Sequence, residues 1–443
     1  MSRSHLFGAA LVGCGFLLVF ALPVSAASHA RVVRLSDVQG NVQIDRNTGQ
    51  GFENAFLNLP LTQGVKVRTQ ERGQAALEFE DGSTVRLAPD TTVELPQLVL
   101  GDSGVKFSTV RVQEGTAYVD FLGTKDSVLK VTFAHEIVAL TQPVHLRIAM
   151  ADVEATVAVL KGQASVTGPK GTVEVNKNHT ASFDLLDDHS TVASGVDEFP
   201  YDSWDKQQAQ YQQQYSSLNN NSSSYSPYAY GGADLNYYGN FFTLPGYGML
   251  WQPYFAGAGW DPFMNGAWAF NPGFGYGWVS AYPWGWTPYH YGSWTYLPMY
   301  GWAWQPGGAW MGWNTLPMVL NAPTGFVRPR PPLLPGRRIF AVNRGPMPLQ
   351  TGNKVQIAGN SAGLGIPRGS VRNLGQLSHH VEQNGFATTN LHTAAVGTGW
   401  WHSGTAPVSH MGSSMGHGFS SVGHSVGGSM SGGHASSGGG GHR

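Results

Sequence analysis

Ala75-Ala76-Leu77-Glu78-Phe79-Glu80-Asp81-Gly82-Ser83-Thr84-Val85-Arg86-Leu87 decides the fold of the first half of this chain. Apolar residues fall at every second position on both sides of Asp81-Gly82, and a period of two marks a strand with one buried face. Asp81 and Gly82 both tolerate positive φ, so the pair suits a tight hairpin turn. Val65-Lys66-Val67-Arg68 upstream, and Val144-His145-Leu146-Arg147-Ile148 and Ala164-Ser165-Val166 downstream, repeat the alternation, with Gly162 and Gly168-Pro169 as punctuation. Strands this short and closely spaced, from Arg31 to about Leu186, predict an all-β domain: a sandwich or a short coiled β-roll. Two sheets that cover each other need no outside partner, so residues 31–186 are expected to fold alone. Glu78, Glu80, Asp81, Asp90 and Glu94 fall on alternating strand positions or turns and read as solvated.

The 443 residues carry 26 Lys+Arg against 27 Asp+Glu, a net charge of -1, and only 12% are charged. That near-neutral total argues against bulk attraction to nucleic acid or to an anionic membrane. At the amino terminus Arg3 and His5 precede an apolar run, Leu6 to Val24, followed by Val24-Ser25-Ala26. This is the pattern of a signal peptide cleaved after Ala26, leaving residues 1–26 behind and placing the mature chain outside the cytoplasm. Cys14, the single cysteine, follows Leu11-Val12-Gly13 in the manner of a lipobox, yet the apolar run continues beyond it. Cleavage after Ala26 leaves a mature chain without a disulfide, a thiol nucleophile or a cysteine metal site. No integral membrane span is expected once the signal is removed.

Residues 199–233 read as a linker rich in Gln, Asn, Ser and Tyr. A few helical turns are compatible with its glutamine stretch, and a flexible tract follows. Residues 241–313 hold 25 aromatics, 11 of them Trp, with Asp261 as the one charged residue. Trp recurs every eight to ten residues from Trp251 to Trp302, usually just after a glycine. One strand plus one turn fits that period, so residues 234–316 are expected to form a Trp/Gly-rich antiparallel β-meander with alternate aromatics on opposite faces. Residues 317–397 form a basic, Pro-rich segment with a short helix near Ser370 to Asn384, stopped by Gly385. Residues 398–443, mostly Gly, Ser and His, are expected to be a disordered tail.

Residues 31–184 resemble the FecR-like periplasmic domain through Val38-x-Gly40-x-Val42, Leu61-x-x-Gly64-x-x-x-x-Thr69, Ala76-x-x-x-x-Asp81-Gly82-Ser83, Leu87-x-Pro89-x-Thr91 and Gly162-x-x-x-Val166. The second half departs, since the usual Gly-Thr before a strand appears only as Leu140-Thr141. The resemblance implies an all-β fold and, from its namesake, the relay of an outer-membrane signal towards a cytoplasmic sigma factor. Only five residues precede the apolar run here, so direct control of a sigma factor by this chain is not expected. Residues 234–313 resemble an aromatic domain of unknown function found behind FecR-like domains in exported bacterial proteins. The matching stretches include Pro245-Gly246-Tyr247-Gly248-x-x-Trp251-x-Pro253 and Pro283-Trp284-Gly285-Trp286-x-Pro288-x-His290-Tyr291-Gly292-x-Trp294.

Two readings of the aromatics stand side by side: the core of a small sheet, and a platform on which sugar rings stack. Trp284, Tyr289 and Tyr291 are the candidates for an exposed ligand or partner surface, because prolines and glycines interrupt the strand around them. His290 reads as a buried, hydrogen-bonded histidine, since a general base needs a carboxylate orienter and Asp261 is the sole local candidate. Nine histidines from His379 to His442 are too loosely spaced for a folded metal site. The Arg328–Arg372 cluster suits envelope polyanions better than nucleic acid. No catalytic set and no cofactor site is expected. The sequence therefore points to an exported, non-catalytic cell-envelope protein that binds or scaffolds an envelope protein or polysaccharide through its β modules. The alternative is a signal-relay component whose FecR-like domain meets an outer-membrane partner.

Overall fold

The first domain is organised around one long strand, Lys106–Phe121. In this computed structural model, which describes residues 31–216, 229–271, 275–307, 316–333, 339–345 and 349–391, that strand belongs to two sheets. Its first half runs parallel to Ser127–Phe133 and antiparallel to Thr92–Leu100. Its second half lies antiparallel between Thr84–Leu87 and Val144–Met150. The switch falls at Gly115, where φ is 83° and a Cβ would come within 2.3 Å of the Asp90 carbonyl oxygen. Only glycine fits such a corner.

One sheet extends from the shared strand through Thr84–Leu87, Gln74–Glu78 and Val33–Gln39 on one side, and through Val144–Met150, Glu154–Lys161, His179–Asp184 and Ser190–Ser194 on the other. The other sheet extends through Thr92–Leu100, Lys66–Thr69 and Val42–Asp45, and through Ser127–Phe133, Glu136–Leu140, Gln163–Gly168 and Gly171–Asn176. Leu77, Val85, Val119 and Leu146 of the first sheet meet Val67, Val93, Val110 and Val131 of the second in one aliphatic core. The expected hairpin pairs Leu77 with Val85, and Gly82 takes φ 87° in its turn.

The second face of that hairpin departs from the expectation. Gln74–Glu78 and Thr84–Leu87 are buried along their whole length, on both faces. What covers the outer face is the rest of the chain. Helix α1 (Asp202–Ser216) lies in the segment read as a linker, and helix α2 (Gly232–Tyr238) follows; residues 217–228, where the flexible tract was expected, lie outside the described residues.

The aromatic region consists of antiparallel hairpins, but they are divided between two sheets instead of forming one meander. Gly239–Leu244, Gly248–Pro253, Gly301–Gln305, Ser293–Leu297 and Met318–Leu320 make one sheet, its last pairing parallel. Gly275–Ser280, Asn265–Asn271 and Phe340–Asn343 make the other. Between them the Pro288 stretch forms a single helical turn, α3 (Thr287–His290), where a strand was expected.

The aromatics also sort differently from the expected alternation. Trp251, Trp304 and Trp294 are directly opposite one another across three strands, so all three lie on one face, with Tyr296 and Trp302 beside them. In the second sheet Trp268 faces Trp278, and Phe270 faces Tyr276, again on one side. Its other side carries small residues, and Ala269 and Val279 there join the aliphatic core of the first domain. The alternation Ala267-Trp268-Ala269-Phe270 thus presents rings to the aromatic core and a thin face to the sandwich.

The basic segment closes that aromatic core. Val355, Ile357, Ile366, Leu374 and Val381 pack with the tryptophans. Helix α4 (Leu374–Asn384) is capped by the Asn373 side chain and ends at Gly385 in the left-handed conformation. The expected signal segment with Ala26 and Cys14, and the Gly/Ser/His tail from residue 398, lie outside the described residues.

Candidate functional site

Trp284, Tyr289 and Tyr291 are in the interior, not on an open face. Trp284 and Tyr291 are fully buried and Tyr289 nearly so. The Trp284 ring stacks on Tyr282 at 5.0 Å, and its indole N–H donates to the Ala362 carbonyl at 2.8 Å. Tyr289 donates its hydroxyl to the Pro262 carbonyl. The physical reason for the correction is the helical turn at Thr287–His290, which folds these rings inward where a strand would have left alternate ones outside. His290 is buried against the Trp286 ring at 4.5 Å, and burial, with a smaller contribution from Arg34, lowers its pKa to about 3. It is a neutral core histidine at neutral pH. Asp261 is held by Arg344 at 3.6 Å and accepts the Phe263 N–H at 2.8 Å, so it orients no histidine.

The polar chemistry lies instead between the sandwich and what covers it. Arg34 stands opposite Glu78 across two strands, and its fully buried guanidinium reaches four partners. It donates to Glu78 at 2.7 Å, Asp234 at 2.8 Å, the Asn58 side chain at 2.9 Å and the Pro283 carbonyl at 2.8 Å. Arg368 from the basic segment grips Asp234 from the other side at 2.7 and 2.8 Å, and Tyr211 of α1 donates to it at 3.0 Å. Gly231 makes the space, since a Cβ there would come within 2.8 Å of the Arg34 guanidinium. Burial works to raise the Asp234 pKa, but Arg368 and Arg34 outweigh it and hold the carboxylate below its ordinary value. Its contribution to stability is therefore present above the ordinary carboxylate range and is lost as pH falls through its depressed pKa. Glu80 is likewise buried, paired with Arg31 at 2.7 Å. The expectation that Glu78 and Glu80 are solvated is overturned, because the outer face of their sheet is covered.

A second set lies farther along the same face. Arg86, Tyr118 and Arg147 stand directly opposite one another on three neighbouring strands, with His145 in the next row. The first turn of α1 lands on them. Arg147 holds both oxygens of Asp202, at 2.6 and 2.7 Å, and Tyr118 donates to the same carboxylate at 2.8 Å. Arg86 holds Asp205 at 2.7 Å, with His145 on its other oxygen at 2.8 Å. Burial works to raise the Asp205 pKa, and the His145 and Arg86 contacts reverse it, leaving it lowered. Trp204 packs edge-on against Tyr118 between the two carboxylates. The sequence held a signal for this contact: acidic residues in the first turn of a glutamine-rich stretch mark a helix start. It held none for where that turn would dock.

Exposed apolar side chains remain at the turn Met299-Tyr300, where Tyr300 stacks on Phe242 at 5.9 Å. Among the described residues, no group of three or more His, Cys, Asp or Glu is placed to hold a metal, and no helix is long and apolar enough to cross a membrane.

Against known families, residues 65–165 match the FecR protein model. The chain carries a FecR domain. Residues 232–321 match a second model, described as a family of unknown function (DUF6600), so an uncharacterised Trp/Tyr-rich domain follows the FecR domain. FecR-family domains are non-catalytic regulatory modules of the periplasm or of secreted proteins, and a periplasmic or envelope location of this chain is consistent with that match. No curated protein matches it. Two solved structures of a "putative anti-sigma factor" from Parabacteroides distasonis ATCC 8503, at 1.65 and 2.50 Å resolution, are similar at 16% identity with a TM-score of 0.27. The similarity covers 31% of this chain and 63% of those, and so weak a superposition carries no structural argument.

Proposed function

We propose that this protein is an envelope signal-relay component in which the FecR domain meets an outer-membrane partner and the aromatic module acts as its rigid extension. The observation that carries the reading is the FecR match at residues 65–165, together with the Arg34–Asp234–Arg368 cluster that ties that domain to the segments around it. A relay needs two regions that sense each other, and a shared buried ion cluster couples them, because moving either side leaves a buried charge unpaired. The platform reading is weakened by the burial of Trp284, Tyr289 and Tyr291. A scaffold reading keeps support from exposed apolar side chains such as those of the Met299-Tyr300 turn.

Crosslinking in intact cells, followed by purification of the chain, tests the proposal. Enrichment of an outer-membrane receptor or transporter is the expected result. Retention on peptidoglycan or polysaccharide, with no such protein, would favour the scaffold.

A further inference from the structure

We infer that the Arg86–Tyr118–Arg147 row, with His145 beside it, is a docking surface for an acidic helix start, that α1 occupies it as an internal ligand, and that a partner presenting an Asp-x-x-Asp helix start competes for it. The inference deepens the relay reading and rests on it only for the partner's location.

The surface has the chemistry of a recognition site. One guanidinium nitrogen of Arg147 reaches both oxygens of Asp202, and the Tyr118 hydroxyl donates to the same carboxylate, so charge-assisted bonds from two side chains converge on one anionic group. The Asp205 carboxylate is bracketed by Arg86 and His145. Spacing of three along a helix puts Asp202 and Asp205 on one side, so a single helical turn satisfies both halves of the site. Trp204 adds an apolar anchor against Tyr118 and Ala88. Arg147 also lies over the Phe199 ring at 3.9 Å and donates to the Asp197 carbonyl at 2.9 Å, so the site reads the approach to the helix too.

Occupation by α1 is suited to exchange. The first turn is held by ion pairs and one indole, and charged partners recover hydration when they separate, which offsets much of what their pairing contributes. Beyond Trp204 and Asp205 the helix buries only Tyr211, and the remainder is largely Gln. Its far end packs Tyr211 and Tyr215 against Tyr237 of α2, and Tyr211 reaches Asp234. Displacing the first turn therefore disturbs the cluster that joins FecR domain and aromatic module, which is a route for a signal.

The test uses the full mature chain and a synthetic peptide covering residues 197–216. Amides of α1 should exchange with solvent through local opening, faster than those of Val144–Met150 beneath, and excess peptide should accelerate them further. A peptide carrying Asp202→Asn and Asp205→Asn should have no effect. In a chain bearing the same two substitutions, the unmodified peptide should bind about tenfold or more tightly than to the wild-type chain, because the internal competitor is weakened. Exchange of α1 only in step with the strands beneath it, or equal action of both peptides, would overturn the inference. Should the doubly substituted chain fail to fold, the exchange experiment on the wild type decides alone. None of these outcomes depends on finding an outer-membrane protein, whose absence would count against the relay reading and not against this surface.

Discussion

In the FecR sandwich, Leu77, Val85, Val119 and Leu146 meet their partners from the facing sheet without a polar atom among their side chains. In the aromatic module Trp251, Trp284, Trp294 and Trp304 fill the interior, and each indole N–H reaches a main-chain carbonyl: Leu235, Ala362, Pro288 and Tyr291 respectively. Of the two cores only the second is directional. An aliphatic core fixes volume, whereas an indole fixes volume and one specific segment of backbone. The aromatic module can therefore hold segments such as 359–373 that have no helix or strand, while the sandwich relies on its ladders. The boundary between the two is different again, with charged residues on a sheet face that strand periodicity alone assigns to solvent.

That boundary should be the most sensitive place to break. Asp234→Ala leaves Arg34 and Arg368 buried without their shared carboxylate, and the expected loss is about 3–5 kcal/mol or more, since removing one partner of a buried pair costs that much and two pairs share this group. Urea unfolding of the variant measures it. Within the aromatic core, Trp284→Ala should cost about 3–5 kcal/mol and erase near-ultraviolet dichroism, while Leu77→Ala in the sandwich should cost about 2–5 kcal/mol and spare that signal. Equal spectral change from both would contradict a directional aromatic core.

A smaller effect comes from pH. His290 is neutral in the folded protein down to about pH 3, whereas an unfolded chain protonates its histidines near 6.5. The unfolded state thus binds the extra proton between those values, so stability present above 6.5 falls as pH is lowered, by up to about 1.4 kcal/mol per pH unit. His290→Gln should flatten the slope between pH 7 and 5. An unchanged slope would show that His290 is not the group responsible.

Much of the sandwich was legible in the sequence because period-two alternation reports the inner face directly, as at Leu77 and Val85. It is silent on what covers the other face, and so Glu78 and Glu80 read as solvated. The aromatic repeat announced hairpins correctly but not their faces: Trp251, Trp294 and Trp304 stand opposite one another across three strands and so converge on one side. Trp284, Tyr289 and Tyr291 were misplaced for a related reason, since prolines were read as strand irregularity where Pro288 starts a helical turn. The ion clusters were not legible at all. Arg34, Asp234 and Arg368 are far apart in sequence, and only the tertiary fold brings them together.

The central claim is that FecR domain and aromatic module form one cooperative body. Residues 31–200 contain no tryptophan, so in a Trp204→Phe chain, which removes the indole packed on Tyr118 of the sandwich, fluorescence reports on the aromatic side while amide exchange in Gln74–Glu78 and Val144–Met150 reports on the sandwich. Both should follow one urea transition with a single midpoint in that chain. Two separated midpoints, with the sandwich strands protected after the tryptophans are exposed, would contradict the claim.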